Sequence, residues 1–390
     1  MGKRLLITST DLMMVQFLVP HVRNFAEHGF EVEIACSDVS GCSAEIGESL
    51  GNSVKAVYTV SLDRSPVSVR NIKGARELEK IIDRGDYDLI WTNEPVMGAV
   101  TRIAARKARK RGTRVIYMVH GFHFYKGAPI KNWLLFYPIE RQLAHLTDCI
   151  VTLNREDYIR AGSFPVKGVY YIHGIGADTD RLQRETISQN IRKKLQIPEN
   201  AFLILSVGEL NRNKNHKAII KALSLLHDTN IYYVICGSGR NLKKLQEAAE
   251  KCGIAANIRL VNYRRDIINF YDQADLFILP SHREGMPVAL LEAMYCGVPA
   301  VTSDIRGVRD VIKSGVTGLL CSPDDSRAFA AAIKKLKNNA ALRKEYGRNS
   351  RRAVKPYMLS EVKDAVMDIF TGIGDRENES DKIQCDHSGI

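Results

Sequence analysis

The sequence lacks the cysteine patterns of a disulfide-stapled or zinc-stabilised protein. Its eight cysteines among 390 residues include no CxxC pair and no cluster with histidine at zinc-ligand spacing. Most lie in apolar runs, as Cys236 does, where a free thiol packs as a small hydrophobic group. We therefore expect reduced cysteines, as in a cytoplasm.

Long hydrophobic runs are also absent from the sequence. No window approaches the ~20 apolar residues that a membrane-spanning helix needs. The apolar stretch at the start is shorter than the roughly 7–15 residues of a signal-peptide core. With 45% hydrophobic and 26% charged residues, the composition excludes disorder throughout and predicts a soluble or peripheral globular protein.

The sequence has fewer acidic than basic residues. Lysine and arginine number 56 against 44 aspartates and glutamates, which gives a formal net charge of +12. This excess favours an anionic partner, which could be a nucleic acid, a nucleotide or an acidic membrane surface. A recognisable nucleic-acid-binding motif is missing, so we expect no nucleic-acid partner.

What the sequence does contain is a regular alternation of short apolar, β-branched segments with longer amphipathic ones. A first series of strands is predicted at residues 5–8, 31–35, 54–60, 89–92, 114–119 and 149–153. A second is predicted at residues 201–207, 231–236, 258–261, 276–279, 299–302 and 318–321. Strands without strict polar alternation are typical of buried parallel sheets, because crossover helices cover both faces. Two such series predict an α/β fold with two doubly wound domains.

The polar stretch 178–199 separates the two series of strands. We place the first domain at 1–180 and the second at 181–356. Residues 357–375 are predicted to form a C-terminal helix that packs back on the first domain. The charged and polar composition of 376–390 predicts a disordered tail.

The segment 279–299 is the most specific in the chain. Glu284 and Glu292 stand eight positions apart, with a glycine and a proline after the first and an apolar run before the second. A strand, a loop and a helix beginning near Pro287 put the loop at the carboxyl edge of a parallel sheet, where such sheets bind ligands. The positive end of the helix would point at the ligand, and both glutamates could face one cleft.

This segment resembles the Glu, seven residues, Glu signature of the retaining glycosyltransferases of family 4, which have the GT-B fold. The positions that match the family in order are Asp275, Leu276, Pro280, Ser281, Glu284, Gly285, Pro287, Leu291, Glu292, Ala293, Gly297, Pro299, Gly307, Gly315, Thr317, Gly318 and Pro323. The resemblance implies two Rossmann-like domains facing across a cleft, the first on the acceptor side and the second binding a nucleotide sugar. It is strongest to members that act in bacterial exopolysaccharide and capsule biosynthesis.

The resemblance also implies roles on the donor side. Glu284 would bind hydroxyls of the donor sugar and Glu292 those of the ribose, since a carboxylate can accept from two neighbouring hydroxyls. Lys214 would hold the leaving diphosphate, whose charge grows as the bond breaks. Glu209 stands where the family carries an arginine, so Arg212 either replaces that charge or is a solvated loop residue. The other donor-side predictions are Gly237, Gly239, Tyr263, Arg264 and the main chain at Met286, Pro287 and Val288.

In the first domain, His120 ends a strand at a point similar to that of a histidine that faces the donor sugar in related members. We therefore predict a catalytic role for His120; the alternative is a core histidine satisfied by the backbone. The acceptor side is predicted to be lined by Arg64, Glu94, Arg102 and His123.

No metal and no cofactor beyond the nucleotide-sugar substrate are predicted. Asp178-Thr-Asp180 spells the DxD of metal-dependent glycosyltransferases of another fold, but it lies in the interdomain stretch. The cationic region around Lys214 can do the work that Mg²⁺ does elsewhere.

The predicted reaction is retaining transfer of a hexose or N-acetylhexosamine from a nucleotide sugar, UDP-linked, to a lipid-linked saccharide in surface-polysaccharide assembly. The basic segment 102–114 and the aromatic run 133–137 predict contact with an anionic membrane surface from the cytoplasm, unless they are a solvated helix and a core run. Two alternatives remain. One is a UDP-N-acetylglucosamine 2-epimerase, which shares the two-domain fold, and the other is a non-enzymatic polyanion-binding protein.

Overall fold

The computed structural model describes residues 2–38, 41, 43–184 and 189–372. The predicted tail at 376–390 lies outside the described residues. Within these ranges the chain forms two parallel β-sheets, each covered by helices on both faces. The α/β fold with two doubly wound domains is confirmed.

The first sheet has seven parallel strands in the order β3-β2-β1-β4-β5-β6-β7. They are β1 (Arg4–Ser9), β2 (Glu31–Cys36), β3 (Ala56–Thr59), β4 (Leu89–Asn93), β5 (Arg114–Val119), β6 (Cys149–Thr152) and β7 (Gly168–Tyr171). The order reverses direction between β1 and β4, so the loops that follow these two strands diverge and leave a crevice.

The second sheet has six parallel strands in the order β10-β9-β8-β11-β12-β13. They are β8 (Phe202–Val207), β9 (Ile231–Cys236), β10 (Ile258–Val261), β11 (Leu276–Leu279), β12 (Ala300–Ser303) and β13 (Gly318–Cys321). Its reversal lies between β8 and β11, which places a second crevice between the loops that follow them.

Helices connect the strands. In the first half of the chain they are α1 (Leu12–Val15), α2 (Val19–Glu27), α3 (Ser43–Leu50), α4 (Arg70–Gly85), α5 (Pro95–Ala104), α6 (Arg106–Lys110), α7 (Ile130–Leu143), α8 (Arg155–Ala161) and α9 (Thr179–Arg184). In the second half they are α10 (Ile191–Lys194), α11 (His216–Leu226), α12 (Leu242–Lys251), α13 (Ile268–Gln273), α14 (Val288–Tyr295), α15 (Ser326–Lys337), α16 (Ala340–Ala353) and α17 (Leu359–Gly372).

The central strands of both sheets are buried on both faces, and this explains why they read as uninterrupted apolar runs. In β1, Leu5 and Ile7 belong to the core that includes α2 and α17, whereas Leu6 belongs to the core under α4 to α6. All three side chains are fully buried. Each such burial stabilises the fold by about 1.5–3 kcal/mol.

The C-terminal helix α17 packs on the first sheet, although the chain reaches it from the second domain. The ring of Phe370 lies 5.0 Å from that of Trp91 and 5.3 Å from that of Phe25. Backbone hydrogen bonds pin the crossing, since the N–H of Leu359 donates to the carbonyl of Ala177 at 3.0 Å. The residue limits predicted for the two domains stay predictions.

All but one of the strands in the described residues were predicted from the sequence. The exception, β7, lies at the edge of the first sheet, and its four residues are only half-buried. An edge strand shares fewer of the packing constraints that make central strands uniformly apolar, so its signal is weaker.

Two further observations concern membrane-spanning helices and the cysteines. No helix among the described residues is both long and apolar enough to cross a bilayer. The cysteines that the described ranges contain are free thiols: Cys36, Cys149, Cys236, Cys252, Cys296 and Cys321.

Candidate active site

The candidate site lies where loops leave the carboxyl edges of both sheets. In the second sheet the loops after β8 and β11 are neighbours, because these two strands pair at the reversal of strand order. The first loop carries Lys214 and the second carries Glu284. Residues 70 positions apart are thus brought to one crevice by the topology of the sheet.

Lys214 and Glu284 form an ion pair. The Lys214 Nζ lies 2.8 Å from Glu284 Oε1, and the two side chains are only 20% and 12% exposed. The loops are also tied together, since the side-chain amide of Asn213 donates to the carbonyl of Arg283 at 2.8 Å. A carboxylate, which can accept from hydroxyls, and an ammonium, which can donate to a phosphate, therefore meet in one partly shielded place.

The loop that carries Glu284 is clamped between the two domains at Gly285. A Cβ atom at this position would lie 2.0 Å from the carbonyl oxygen of His120 in the first domain. A Cβ on Gly307, from the other side, would lie 2.0 Å from the carbonyl oxygen of Gly285. Only glycine fits at either position, and the clamp brings His120 next to the Glu284 loop.

The imidazole of His120 is oriented by a hydrogen bond of 3.0 Å between its Nε2 and Asn93 Oδ1. The Asn93 amide nitrogen donates to the carbonyl of Thr8 at 3.2 Å, so its oxygen faces the ring and Nε2 carries the proton. Burial lowers the pKa of His120, and the nearby Glu94 carboxylate opposes the shift. His120 is therefore neutral at physiological pH, and Nδ1 can accept a hydrogen bond from a substrate hydroxyl.

Replacing His120 by alanine is expected to lower kcat by about 100-fold, since a buried substrate hydroxyl would be left without its acceptor. The measurement is steady-state transfer together with the midpoint of urea unfolding. The variant Asn93→Ala, which removes only the partner that orients the ring, should give a smaller loss. Unchanged turnover in His120→Ala would return His120 to a purely structural role.

Two predicted acceptor-side residues organise the loop that follows β1. One carboxylate oxygen of Glu94 accepts from the N–H of Thr10 at 2.7 Å and from the hydroxyl of Ser9 at 3.0 Å. Arg64 pairs with the buried Asp11 of the same loop at 3.2 Å. Both side chains therefore lie at the crevice of the first sheet, and their contact with an acceptor stays a prediction.

His123 follows His120 in the loop after β5, and its ring lies 4.7 Å from that of Phe136. Burial lowers the pKa of His123 to about 4, and the charges of Arg283 and Arg306 add to this effect. His123 is therefore uncharged at neutral pH. It lies near the loop of Glu284, because Arg283 precedes that residue.

The prediction for Arg102 is wrong. Its side chain is fully buried between α5 and α7, where it pairs with Glu140 at 2.8 Å. The guanidinium carbon lies 4.0 Å from the ring centre of Tyr117, and Nε donates to the carbonyl of Gly98. Arg102 belongs to the core of the first domain and does not line the acceptor side.

Glu292 is buried in α14, and both of its carboxylate oxygens accept hydrogen bonds. One oxygen accepts from Arg181 at 2.7 Å and the other from the hydroxyl of Tyr271 at 3.0 Å. A ribose hydroxyl could donate to this carboxylate only by replacing or joining these donors. The predicted ribose contact therefore involves Arg181 as well. The structure thus holds the two signature glutamates in separate ion pairs.

The DxD sequence has a structural role at its first aspartate. Asp178 Oδ1 accepts from the N–H of Arg181 at 2.9 Å and so caps the first turn of α9. Among the described residues, no group of three or more histidine, cysteine, aspartate or glutamate side chains could hold a metal ion.

The start of α14 has main-chain donors that are not used within the described part of the chain. Neither the N–H of Met286 nor that of Val288 has an acceptor among the described residues. Pro287 has no N–H, so it cannot donate as predicted, and the donors are its two neighbours. The side chains of Met286 and Val288 also pack against the core of the first domain.

The glycines after β9 allow two loops to touch. A Cβ on Gly237 would lie 1.9 Å from the carbonyl oxygen of Gly208, and one on Gly239 would lie 2.6 Å from that of Leu210. The GxG pair is therefore needed for packing against the loop that leads to Lys214, whatever else it binds.

The remaining predicted donor-side residues are open to solvent or paired locally. Arg212 and Tyr263 are exposed, the latter by 60%. The guanidinium of Arg264 makes two hydrogen bonds to Asp266, at 2.8 and 2.6 Å. Among the described residues, none of these three side chains forms a hydrogen bond or ion pair with Lys214, and their nucleotide contacts stay predictions.

Sequence reasoning missed a buried ion pair that joins the domains. Arg306, in the loop after β12, pairs with Asp157 of α8, and both side chains are almost fully buried at 2% and 1% exposure. Arg306 also donates to the carbonyl of Phe122 and lies 4.5 Å from the ring centre of Tyr125. Beside it, the amide of Asn154 donates to the carbonyl of Gly285 at 3.3 Å. These contacts hold the first domain against the Glu284 loop.

Comparison with known proteins identifies the architecture. Residues 15–181 match the family described as Glycosyltransferase Family 4, and residues 187–353 match that described as Glycosyl transferases group 1. Over 98% of its length the chain is 34% identical to the putative glycosyltransferase EpsD of Bacillus subtilis (strain 168), all of which it covers. The chain belongs to glycosyltransferase family 4.

Other relatives of this glycosyltransferase extend the comparison. It is 26% identical, over 80% of its length and 81% of the relative, to the UDP-Gal:alpha-D-GlcNAc-diphosphoundecaprenol alpha-1,3-galactosyltransferase of Escherichia coli. The crystal structure of Anabaena Alr3699/HepE in complex with UDP and glucose superposes with a TM-score of 0.78 at 17% identity. That superposition covers 95% of this chain and all of the other, and it confirms the GT-B fold.

Proposed function

We propose that this glycosyltransferase moves a hexose or N-acetylhexosamine from a UDP-linked donor to a lipid-linked saccharide, with retention, in surface-polysaccharide biosynthesis. The observation that carries the proposal is the Lys214–Glu284 pair at the reversal of the second sheet, next to His120. The name of the Escherichia coli relative supports a UDP-linked donor and a lipid-diphosphate acceptor. The UDP bound in the Anabaena protein supports the same nucleotide.

Donor binding exchanges the partners of this ion pair. A sugar hydroxyl donates to Glu284, and the diphosphate takes the ammonium of Lys214, so neither buried charge is left without a partner. The neutral imidazole of His120 accepts from a second hydroxyl through Nδ1. The ion pair is therefore a preformed binding site, and its two charges separate when the donor binds.

Charge develops on the diphosphate as the glycosidic bond breaks. Lys214 and the free N–H groups of Met286 and Val288 are fixed around that position before the reaction, and the positive end of α14 adds to their effect. We assign no side chain as a nucleophile. The acceptor hydroxyl attacks from the face that the diphosphate leaves, and a diphosphate oxygen takes its proton.

We propose that no metal takes part and that the nucleotide sugar is substrate rather than cofactor. The first aspartate of the DxD sequence caps α9 through the N–H of Arg181. The electrostatic task is assigned instead to Lys214 and the start of α14.

The variant Lys214→Met tests the diphosphate assignment. Loss of one charged donor to a developing anion is expected to lower kcat by about 10²–10³-fold. Arg212→Met, an exposed cation of the same loop, is the matched control and should change kcat by less than about threefold. Equal losses in both variants would show that Arg212 supplies the charge missing at Glu209.

The assay measures UDP release from a panel of UDP-sugars, with and without a lipid-diphosphate-sugar acceptor, and the anomeric configuration of the product. We expect acceptor-dependent release and a retained configuration. Epimerised free donor without transfer would favour the 2-epimerase. Tight, salt-sensitive nucleic-acid binding without turnover would favour the polyanion-binding protein.

We also propose that this enzyme works on the cytoplasmic face of an anionic membrane, because its acceptor is lipid-linked. The predicted contact segment 102–114 is a poor candidate for that surface. Arg102 is buried, and other cations of the segment are paired: Lys107 with Glu79, Arg109 with Asp148 and Arg111 with Asp83. The run 133–137 is partly core, since Trp133 packs against Phe124 and Arg160.

A further inference from the structure

We propose that residues 64–76 and 126–135, here called the basic–apolar rim, form the surface by which this enzyme docks on an anionic lipid bilayer. The inference rests on the proposed function, because it names the surface at which a lipid-linked acceptor is met. It moves the basic part of the membrane contact away from the segment 102–114 and keeps the exposed Leu134 of the predicted run 133–137.

The rim exposes large apolar side chains in two places. In the first segment, Val67, Val69 and Ile72 are 86%, 79% and 60% exposed. In the second, Ile130 and Leu134 are 77% and 74% exposed. Apolar groups left in water side by side mark a surface that another apolar body covers.

Both segments lie at the same edge of the first sheet. The first leads from β3 into α4, and the second leads from β5 into α7, so both start at the carboxyl edge of parallel strands. Helix α5 begins at this edge too and packs against both α4 and α7. The rim therefore borders the crevice that holds Arg64 and His120.

All charged side chains of the rim are cationic. The first segment contains Arg64, Arg70, Lys73 and Arg76 and no carboxylate, and the second contains Lys126 and Lys131 and no carboxylate. Arg70, Arg76, Lys126 and Lys131 are exposed, and none of these four has an ion-pair partner among the described residues. This differs from the segment 102–114, where Arg102, Lys107, Arg109 and Arg111 each pair with an acid.

The first segment also forms a shallow cavity of about 460 Å³. Five of its eight lining residues are apolar, namely Pro66, Val67, Val69, Ile72 and Ala75, and the other three are Ser68, Asn71 and Arg76. A hydrocarbon chain fits such a lining, whereas a polar peptide would bury groups without partners. Exposed apolar residues among unpaired cations are the pattern of a segment that lies in the headgroup region of an anionic bilayer.

Flotation with lipid vesicles tests the rim. The full chain is expected to float with vesicles of phosphatidylglycerol and phosphatidylcholine in equal parts, and not with phosphatidylcholine alone. The double variant Arg70→Glu/Arg76→Glu and the triple variant Val69→Ser/Ile72→Ser/Leu134→Ser should each lower the bound fraction at least about 10-fold.

Matched control variants lie on the second domain. Lys334→Glu/Lys335→Glu reverses two exposed cations of α15, and Leu225→Ser removes an exposed leucine of α11. Both should bind vesicles as the unaltered chain does. Equal losses in these controls would show a general charge effect and would overturn the rim.

Transfer assays separate the rim from the proposed function. Rim variants should transfer sugar to a water-soluble acceptor analogue at the normal rate, and lose transfer to a vesicle-embedded acceptor. Normal transfer without any vesicle binding would overturn the rim alone, whereas vesicle binding without transfer to either acceptor would contradict the proposed function alone. A concentration-dependent dimer that the rim variants abolish would assign this face to self-association and overturn the proposal.

Discussion

Glu284→Gln is expected to lower kcat/KM by about 10³-fold while the midpoint of urea unfolding changes little. A hydrogen bond to an ionised group is worth about 1.5–3 kcal/mol, and the substitution removes both the charge that accepts from the sugar hydroxyl and the attraction that positions Lys214. Glutamine has the same shape and keeps one oxygen facing the Lys214 ammonium, so the fold has no reason to change. The loss should therefore appear in transfer and not in stability.

Glu209→Gln is the matched control for this variant. Glu209 is an exposed carboxylate in the neighbouring loop after β8, so its neutralisation should leave kcat/KM within about twofold. The double variant Glu284→Gln/Lys214→Met should lose less than the sum of the two single effects, because the residues form one ion pair. Turnover close to normal in Glu284→Gln would contradict the role of Glu284 in binding the donor sugar.

The sheets and the places of Lys214 and Glu284 in the chain could be predicted because they depend on local signals. Central parallel strands are buried on both faces, so β1 and β8 read as continuous apolar runs with a polar loop after each. Functional side chains follow the strands at the carboxyl edge, so their approximate place is visible before the fold is known. The family signature then distinguished Glu284 and Glu292 from other carboxylates.

Whether a single charged side chain is buried or exposed, and with which residue it pairs, could not be predicted in the same way. Arg102 and Arg106 lie one helical turn apart in a basic stretch, yet the first is buried against Glu140 and the second is exposed. Arg102 belongs to α5, which packs against α7, whereas Arg106 begins the separate helix α6, and a basic stretch does not show where one helix ends and the next begins. Arg181 pairs with Glu292 for a similar reason, since the contact joins segments 111 positions apart.

The contacts between the two domains were the hardest to predict from the sequence. Asp157 follows β6 by a few residues and Arg306 follows β12, so each lay where a site residue is expected. Their pairing depends on how the two domains face each other, and no periodicity within either domain encodes that. A search of every polar residue just beyond a strand end would have included both.

Arg306→Met is expected to destabilise the chain by about 3–5 kcal/mol, because it leaves the buried carboxylate of Asp157 without its cation. Burial already raises the pKa of Asp157, and the charge of Arg306 opposes that shift. The carbonyl of Phe122 would lose its donor as well. The measurement is urea unfolding, with limited proteolysis of the folded chain as a probe of domain separation.

The control is Arg309→Met, which lies three residues further along the same segment. Arg309 pairs with Asp304 at 2.6 Å, but both side chains are about half exposed, so the loss should stay within about 1 kcal/mol. The double variant Arg306→Met/Asp157→Leu should recover much of the loss, since neither charge then remains buried. Equal stability of Arg306→Met and Arg309→Met would show that Arg306 does not tie the domains together. If the pair does tie them, Arg306→Met should also lower transfer, because the carbonyl of His120 would no longer be held against Gly285 beside Glu284.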